Sequence, residues 1–398
     1  INTHVENTQW AYENLRSVHL ELSTLCNSIC PWCPRYVDFS PNVNPNIVEG
    51  AYTLERFKRH FPRDFIQQIE FWTFAGDYGD PCTCPEILDI IEYILSIKDC
   101  KMQINTNGGM RNTKFWQQLG ELMRGSPDET YTQYQKRYVI FSVDGLEDTN
   151  HIYRRNVKWH KVISAMETYG DTGARGIWEF LKFKHNEHQK EEVLQLAKKL
   201  GFPVRFKNPN GFEGAPMPAK DKDYNISYEI YPAKWPRDGD GTLEQIPIKP
   251  LEVTDKQLEF IKMINADNSP IKYKDVAHIL EQPRSGCINC QAKTFGAGNE
   301  IRINHDGTVW PCSFFGHLSS KYLKGRIVSV VHRFQALGIL EGIQNNLDNN
   351  TLKEILDNDP FRKVYESWDD NSVLLCSHSC GQEQNTMEKI YERPTNGR

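Results

Sequence analysis

The residues best suited to chemistry in this chain are its cysteines. Cys26, Cys30 and Cys33 fall in one short stretch, Cys26-Asn-Ser-Ile-Cys30-Pro-Trp-Cys33, with gaps of three and two residues. Three thiolates at this spacing can wrap one face of an iron–sulfur cubane, and because a closed site needs four ligands, one iron stays open. The same gaps also serve zinc, completed by a distant His or Cys. The eleven cysteines are an odd number, grouped in tight triplets and pairs. In a large chain with no visible signal peptide, that grouping favours metal or catalytic thiolates over a disulfide framework.

A second group lies late in the chain. Cys290 and Cys312 flank an expected hairpin, in which Glu300-Ile301-Arg302-Ile303 alternates polar and apolar, His305-Asp306-Gly307-Thr308 turns, and Val309-Trp310 returns. Cys376 and Cys380 follow, with three residues between them. A thiolate on each side of a hairpin plus a later pair gives four ligands, a count that suits a fully protein-ligated cluster and equally a zinc ribbon. Cys287 competes with Cys290 for the first position, and Cys290 lies nearer the hairpin. Cys82 and Cys84 read either as reactive thiols or as small packing residues at a helix start.

These groups need a scaffold that brings distant loops together. From about Val18 to Phe206, short β-rich runs alternate with helical ones, the rhythm of a parallel sheet with crossover helices. Strands are predicted at Val18 to Leu22, Gln68 to Phe74, Lys101 to Asn105, Tyr138 to Val143, Gly176 to Lys182 and Val204 to Phe206. Helical faces run over Pro85 to Ile97 and Glu191 to Leu200. The fold class is α/β, a partial (β/α)6 TIM-like barrel with a small C-terminal α+β domain. The cysteine triplet follows the first strand, at the sheet edge where such enzymes place their chemistry. The divisions expected are 1–207 for the barrel, 208–284 for a connecting segment with one helix near Asp255 to Ala266, and 285–398 for the cysteine-bearing domain.

Composition narrows the function. With 398 residues the chain can bury a core without disulfides. Lys and Arg total 47 against 52 Asp and Glu, a net charge of −5, so no global basic balance favours nucleic acid or an anionic membrane. Apolar runs such as Tyr138 to Val143 are far shorter than the roughly 18 residues of a membrane span. The opening Ile1-Asn2-Thr3-His4 carries no signal-peptide pattern, and a cytoplasmic location is the expectation.

The triplet, with Trp32 before its last cysteine, resembles the signature of the radical S-adenosylmethionine superfamily. That resemblance implies a [4Fe–4S] cluster on Cys26, Cys30 and Cys33 whose open iron chelates the methionine amine and carboxylate. It also implies reductive cleavage to a 5′-deoxyadenosyl radical, with Trp32 touching the adenine. The match extends along the core. Gly79-Asp80-Pro81 is similar to the family's Gly-Gly-Glu-Pro element, which receives the methionine ammonium, with Asp for Glu and Tyr78 for the first Gly. Asn105-Thr106-Asn107-Gly108 is similar to its Thr-Asn-Gly turn, and reads equally as an ordinary strand-ending turn. Ser142-Val-Asp144-Gly145 and Arg154 resemble the Ser that contacts the cofactor and the Arg that pairs with its carboxylate, with Arg155 an adjacent alternative. Phe183-Lys184-His185-Asn186 takes the place where the family presents a polar residue to the cofactor, here Asn186. His185 and His188 read equally as solvated residues at a helix start.

Cys290, Cys312, Cys376 and Cys380 resemble the SPASM and twitch extensions, the shorter twitch form fitting five late cysteines and one auxiliary [4Fe–4S] cluster. The resemblance implies hydrogen donation by Cys82 or Cys84, a flavodoxin- or ferredoxin-type electron donor, and a peptide or protein substrate. Only 25 residues precede Cys26, which is short for a leader-binding domain. Dehydrogenation or rearrangement of a sugar or aminoglycoside is the alternative reaction, and a non-catalytic zinc scaffold the alternative of another class.

Overall fold

The architecture comes from a computed structural model, described over residues 10–124, 136–209, 216–231, 297–316 and 342–366, with 233, 290, 292, 340 and 376 standing alone. All six expected strands form within a few residues of their expected bounds. They are β1 (Ser17–Leu20), β2 (Phe71–Phe74), β3 (Lys101–Thr106), β4 (Arg137–Ser142), β5 (Arg175–Leu181) and β6 (Val204–Lys207). Each lies parallel beside its predecessor. Parallel neighbours require long crossovers, and helices supply them. α1 (Leu54–His60) and α2 (Arg63–Gln68) precede β2, and α3 (Ile87–Ile97) precedes β3. α4 (Thr113–Arg124) precedes β4, α5 (Asn150–Tyr153) and α6 (Trp159–Asp171) precede β5, and α7 (Lys190–Leu200) precedes β6.

Local sequence explains these helices. In α3 the buried Ile87, Ile90, Ile91 and Ile94 repeat at helical spacing and form one stripe. Each such side chain contributes about 1.5–3 kcal/mol by leaving water. The Thr53 side chain caps α1 by accepting from the Arg56 amide, and α7 stops at Gly201, whose φ of 73° is left-handed.

Alternation along the strands separates two faces. One carries Val18, Leu20, Trp72, Phe74, Met102, Ile104, Val139, Phe141, Trp178 and Phe180, all at 0% exposure and packed in one core with the helices. The other face is mainly polar, with the buried Phe71, Ile140 and Ile177 among its side chains. Register aligns His19, Thr73, Gln103 and Tyr138 across β1 to β4, with Ser142 opposite Glu179 and Glu179 opposite Arg205 beyond them.

The segment expected to be only a connection contains β7 (Met217–Lys220) and β8 (Ile226–Ile230), an antiparallel pair. The late hairpin forms as β9 (Glu300–Ile303) and β10 (Val309–Trp310), antiparallel to each other. It does not stand apart from the six parallel strands. β9 pairs in parallel with β1, Ser17 opposite Glu300 and Leu20 opposite Ile303, so the sheet has eight strands in the order β10-β9-β1-β2-β3-β4-β5-β6. The Trp10 indole donates to the Pro311 carbonyl just past β10 at 2.9 Å, and Arg56 in α1 donates to the His305 carbonyl in the hairpin turn at 2.7 Å while pairing with Asp348 at 2.6 Å. The expected helix near 255–266, Cys287 and Cys380 lie outside the described residues. Among the described residues, no helix is long and apolar enough to cross a membrane.

Candidate active site

Four loops meet at the C-terminal edge of β1 to β4. The first carries the cysteine triplet. The Cys33 amide donates to the Cys30 carbonyl at 3.0 Å, closing the turn that brings the last two thiols to one side. The sulfurs are acceptors in a polar cradle: Cys26 Sγ takes the Ser28 amide at 3.4 Å and Asn107 Nδ2 at 3.6 Å, and Cys30 Sγ lies 3.0 Å from Ser28 Oγ. Burial raises the Cys26 thiol, and Asp80, Cys30 and Cys33 add to that rise. Burial likewise pushes Cys33 up to about 12, with Cys30 adding to it. The three groups are therefore neighbours that disfavour three bare thiolates and suit charge-compensating iron. Trp32 stacks on Phe39 with ring centroids 5.2 Å apart, beside this loop.

The loop after β2 is held against the first with no room between them. A Cβ on Gly79 would collide with the Ser23 carbonyl oxygen and lie 2.6 Å from Thr24 Cα, so only glycine fits there. The Asp80 amide donates to Leu25 O at 2.8 Å. The Asp80 carboxylate, however, is taken up inside the chain. It accepts from the Cys82 amide at 2.9 Å, from Thr106 Oγ1 at 2.9 Å and from the Asn107 amide at 2.8 Å. These bonds clamp the loops after β2 and β3 to each other. Burial raises the Asp80 pKa, opposed by those same hydrogen bonds.

The turn after β3 joins this arrangement through Asn107, whose Nδ2 also donates to Asn27 Oδ1 at 2.8 Å and whose Oδ1 accepts from the Gly109 amide at 2.8 Å. Asn105 lies lower, half-buried on the polar face, with Oδ1 taking Gln103 Nε2 at 2.8 Å. Ser142 is half-buried at the end of β4. Beyond it, Asp144 is 0% exposed, accepting Arg154 Nε at 2.6 Å and the Leu181 amide at 2.7 Å. That pairing aims Arg154 Nη1 at Cys30 Sγ, 3.8 Å away. Burial opposes the Arg154 charge, but Asp144, Cys30 and Tyr153 outweigh it and raise its pKa well above the ordinary value. Arg155 instead donates to Lys220 O at 3.1 Å, so of the two it is Arg154 that faces the cysteine loop.

Three of the expected site residues are fully buried. Asn186 is fully buried and its amide is spent on the chain, donating to Asp144 O at 2.8 Å and Leu181 O at 2.9 Å while accepting from the Phe183 amide at 2.7 Å. It locks the loops after β4 and β5. Cys82 and Cys84 are 0% exposed in the helix-side core, Cys84 Sγ donating to Tyr52 O at 3.2 Å. Burial raises both thiols, Cys84 to about 11. His188 is exposed, whereas His185 stacks on Phe183 at 5.2 Å, and burial, with His151 and His188 beside it, lowers its pKa to about 4.

Several contributors have no motif of their own. Ser28 and Asn27 lie inside the triplet's gaps, and Thr106 inside the Asn-Thr-Asn-Gly turn; their proximity to the motif residues was the available signal. Of the late cysteines, Cys290 and Cys376 are buried and Cys312 is half-buried, opening the turn in which Phe315 N donates to Cys312 O at 3.1 Å. Among the described residues, no three His, Cys, Asp or Glu side chains gather on a single metal ion. A cubane asks for a wider arrangement, since each thiolate takes its own iron.

No family model and no curated protein matches the chain. Solved structures do. Streptococcus suis SuiB bound to S-adenosylmethionine is 13% identical with a TM-score of 0.42, the match covering 76% of this chain. The chain spans 61% of the length of SuiB. The match to native anSMEcpe with bound AdoMet is 16% identical at a TM-score of 0.45 and covers 87% of this chain and 82% of that one. BtrN in complex with AdoMet and 2-DOIA is 12% identical at 0.37, with 95% and 96% covered.

Proposed function

We propose that this chain is a radical S-adenosylmethionine enzyme, with Cys26, Cys30 and Cys33 holding a [4Fe–4S] cluster that binds the cofactor through its open iron. The observation carrying this reading is the convergence of Cys26, Cys30, Asn107 and Arg154 at the C-terminal edge of a parallel sheet, in the order the sequence motifs imply. When bound, the cluster supplies the electron for cleaving S-adenosylmethionine.

The chain's own residues prepare that site. Ser28 and Asn107 direct N–H groups at Cys26 Sγ, a charge-assisted contact once the sulfur is a thiolate. Arg154, fixed by Asp144, sets a permanent positive charge 3.8 Å from Cys30 Sγ and offers a planar fork to a cofactor carboxylate. Asp80 acts as a positioning residue by fixing the loops after β2 and β3. Gly79 lets the first two loops touch.

Cys290, Cys312, Cys376 and Cys380 would hold one auxiliary [4Fe–4S] cluster that accepts the electron of an oxidised substrate. Peptide or protein modification, with an electron donor of the flavodoxin or ferredoxin type in the reducing cytoplasm, is the reading that the SPASM-like and twitch-like cysteines support. The polar sheet face, with Thr73, Gln103, Tyr138, Glu179 and Arg205, favours a second reading in which the substrate is a small polar metabolite such as a sugar or aminoglycoside.

Anaerobically reconstituted protein should hold about eight irons and form 5′-deoxyadenosine from S-adenosylmethionine under dithionite. Cys30→Ala should lose about four irons and all cleavage, whereas Cys376→Ala should keep cleavage and lose turnover. Zinc in place of iron, or undiminished cleavage by Cys30→Ala, overturns the assignment. Tight binding of a leader-bearing peptide, or of an aminoglycoside, separates the two substrate readings.

A further inference from the structure

The β7–β8 hairpin has its own apolar contact, separate from the main core. Met217 and Ile230 are 2% and 1% exposed and cluster with Cys30, Tyr153 and Phe183. Trp32 and Cys33 pack against the same group. Two backbone groups secure the hairpin: the Lys220 amide donates to Phe39 O at 3.1 Å, and the Lys220 carbonyl accepts from Arg155 at 3.1 Å. Tyr228 OH donates to Ile152 O at 2.7 Å, fastening the other strand. An isolated two-stranded hairpin is marginal in water, so this one owes its order to the surface it covers. That surface includes two of the three cysteines of the candidate site.

We propose that the β7–β8 hairpin is a cap on the cluster of Cys26, Cys30 and Cys33, in which Met217 and Ile230 exclude water and dioxygen and hold the cluster's reduction potential low. The proposal rests on the iron–sulfur reading above. Reduction adds negative charge to a cluster already carrying three thiolates. Water stabilises that added charge and an apolar cover withholds the stabilisation, so solvent exposure is one of the levers on potential. Met217 and Ile230 are thus positioning residues, acting through the environment of Cys30 and Cys33.

The test uses the full chain, anaerobically reconstituted in a Cys312→Ala/Cys376→Ala background so that the signal comes from the triplet's cluster. Met217→Gln and Ile230→Thr should load as much iron as the parent, lose their charge-transfer absorbance several-fold faster in air, and show a higher midpoint potential by spectroscopic titration. Ile226→Asn, on the same hairpin but 59% exposed, should match the parent, as should Met217→Leu, which keeps an apolar side chain of similar volume. Equal bleaching and an unchanged potential in iron-loaded Met217→Gln and Ile230→Thr overturn the cap. Equal acceleration in Met217→Leu does the same, since it would report a packing defect. A parent that binds no iron at the triplet overturns the cluster assignment itself.

Discussion

Asp144→Asn removes one negative charge from a position with no exposed surface, and its cost follows from what that charge holds. Oδ2 takes Arg154 Nε at 2.6 Å and Oδ1 takes the Leu181 amide at 2.7 Å, while only 18% of the Arg154 side chain is open to water. An Asn has one acceptor for these two donors and sets an N–H₂ against the other. Breaking a buried pair by removing one partner costs about 3–5 kcal/mol, because the surviving charge is left without compensation. For a cooperative unit of about 150–250 residues, that is a fall in Tm of about 6–20 °C. Thermal unfolding by far-ultraviolet circular dichroism, checked by urea midpoints, measures it. The double variant Asp144→Leu/Arg154→Met buries no charge and should recover much of the loss. A single variant within about 1 kcal/mol of wild type would refute the reasoning, as would a double variant no better than the single.

Gly79→Ala should abolish iron loading and destabilise the protein, because its Cβ would collide with a backbone oxygen of the cysteine loop; wild-type iron content and stability would contradict this. Glu300 is raised to about 7 by burial, against the lowering effects of Arg302 and Ser313. A folded-state pKa above the unfolded one stabilises below the unfolded value, and that contribution is lost as pH rises through about 7. Glu300→Gln should therefore gain on wild type between pH 5 and pH 8, on the order of 3 kcal/mol, read from urea midpoints; a pH-independent gap would contradict it.

The six strands were legible because each is a short apolar run bounded by turn residues, and the late hairpin because Glu300 to Ile303 alternates before an Asp-Gly turn. Pairing of β9 with β1 was not, since nothing local in Glu300 to Ile303 specifies a partner about 280 positions away. β7 and β8 were missed for a related reason: Pro218 and Lys220 weaken the strand pattern of Met217 to Lys220, and what orders the hairpin is a contact with Cys30 and Phe183. At the site, residue identity placed Cys26, Cys30, Asn107 and Arg154 together. It did not show that Asp80 and Asn186 spend their polar atoms inside the chain, because hydrogen-bond direction is decided by neighbours from other loops. The burial of Cys82 and Cys84 follows from the helix that begins at Ile87, whose apolar stripe draws the preceding turn into the core.

The parallel seam between β1 and β9 also sets a schedule for synthesis. β1 leaves the ribosome ahead of the other described strands, and its partner on one edge follows some 280 residues later. At about 5–20 residues per second, that edge waits roughly 15–60 s for its neighbour. An unpaired strand edge is a template for pairing with another chain. Slow translation, or release before residue 303, would prolong that exposure, so the yield of this protein should depend on how well nascent chains are kept apart.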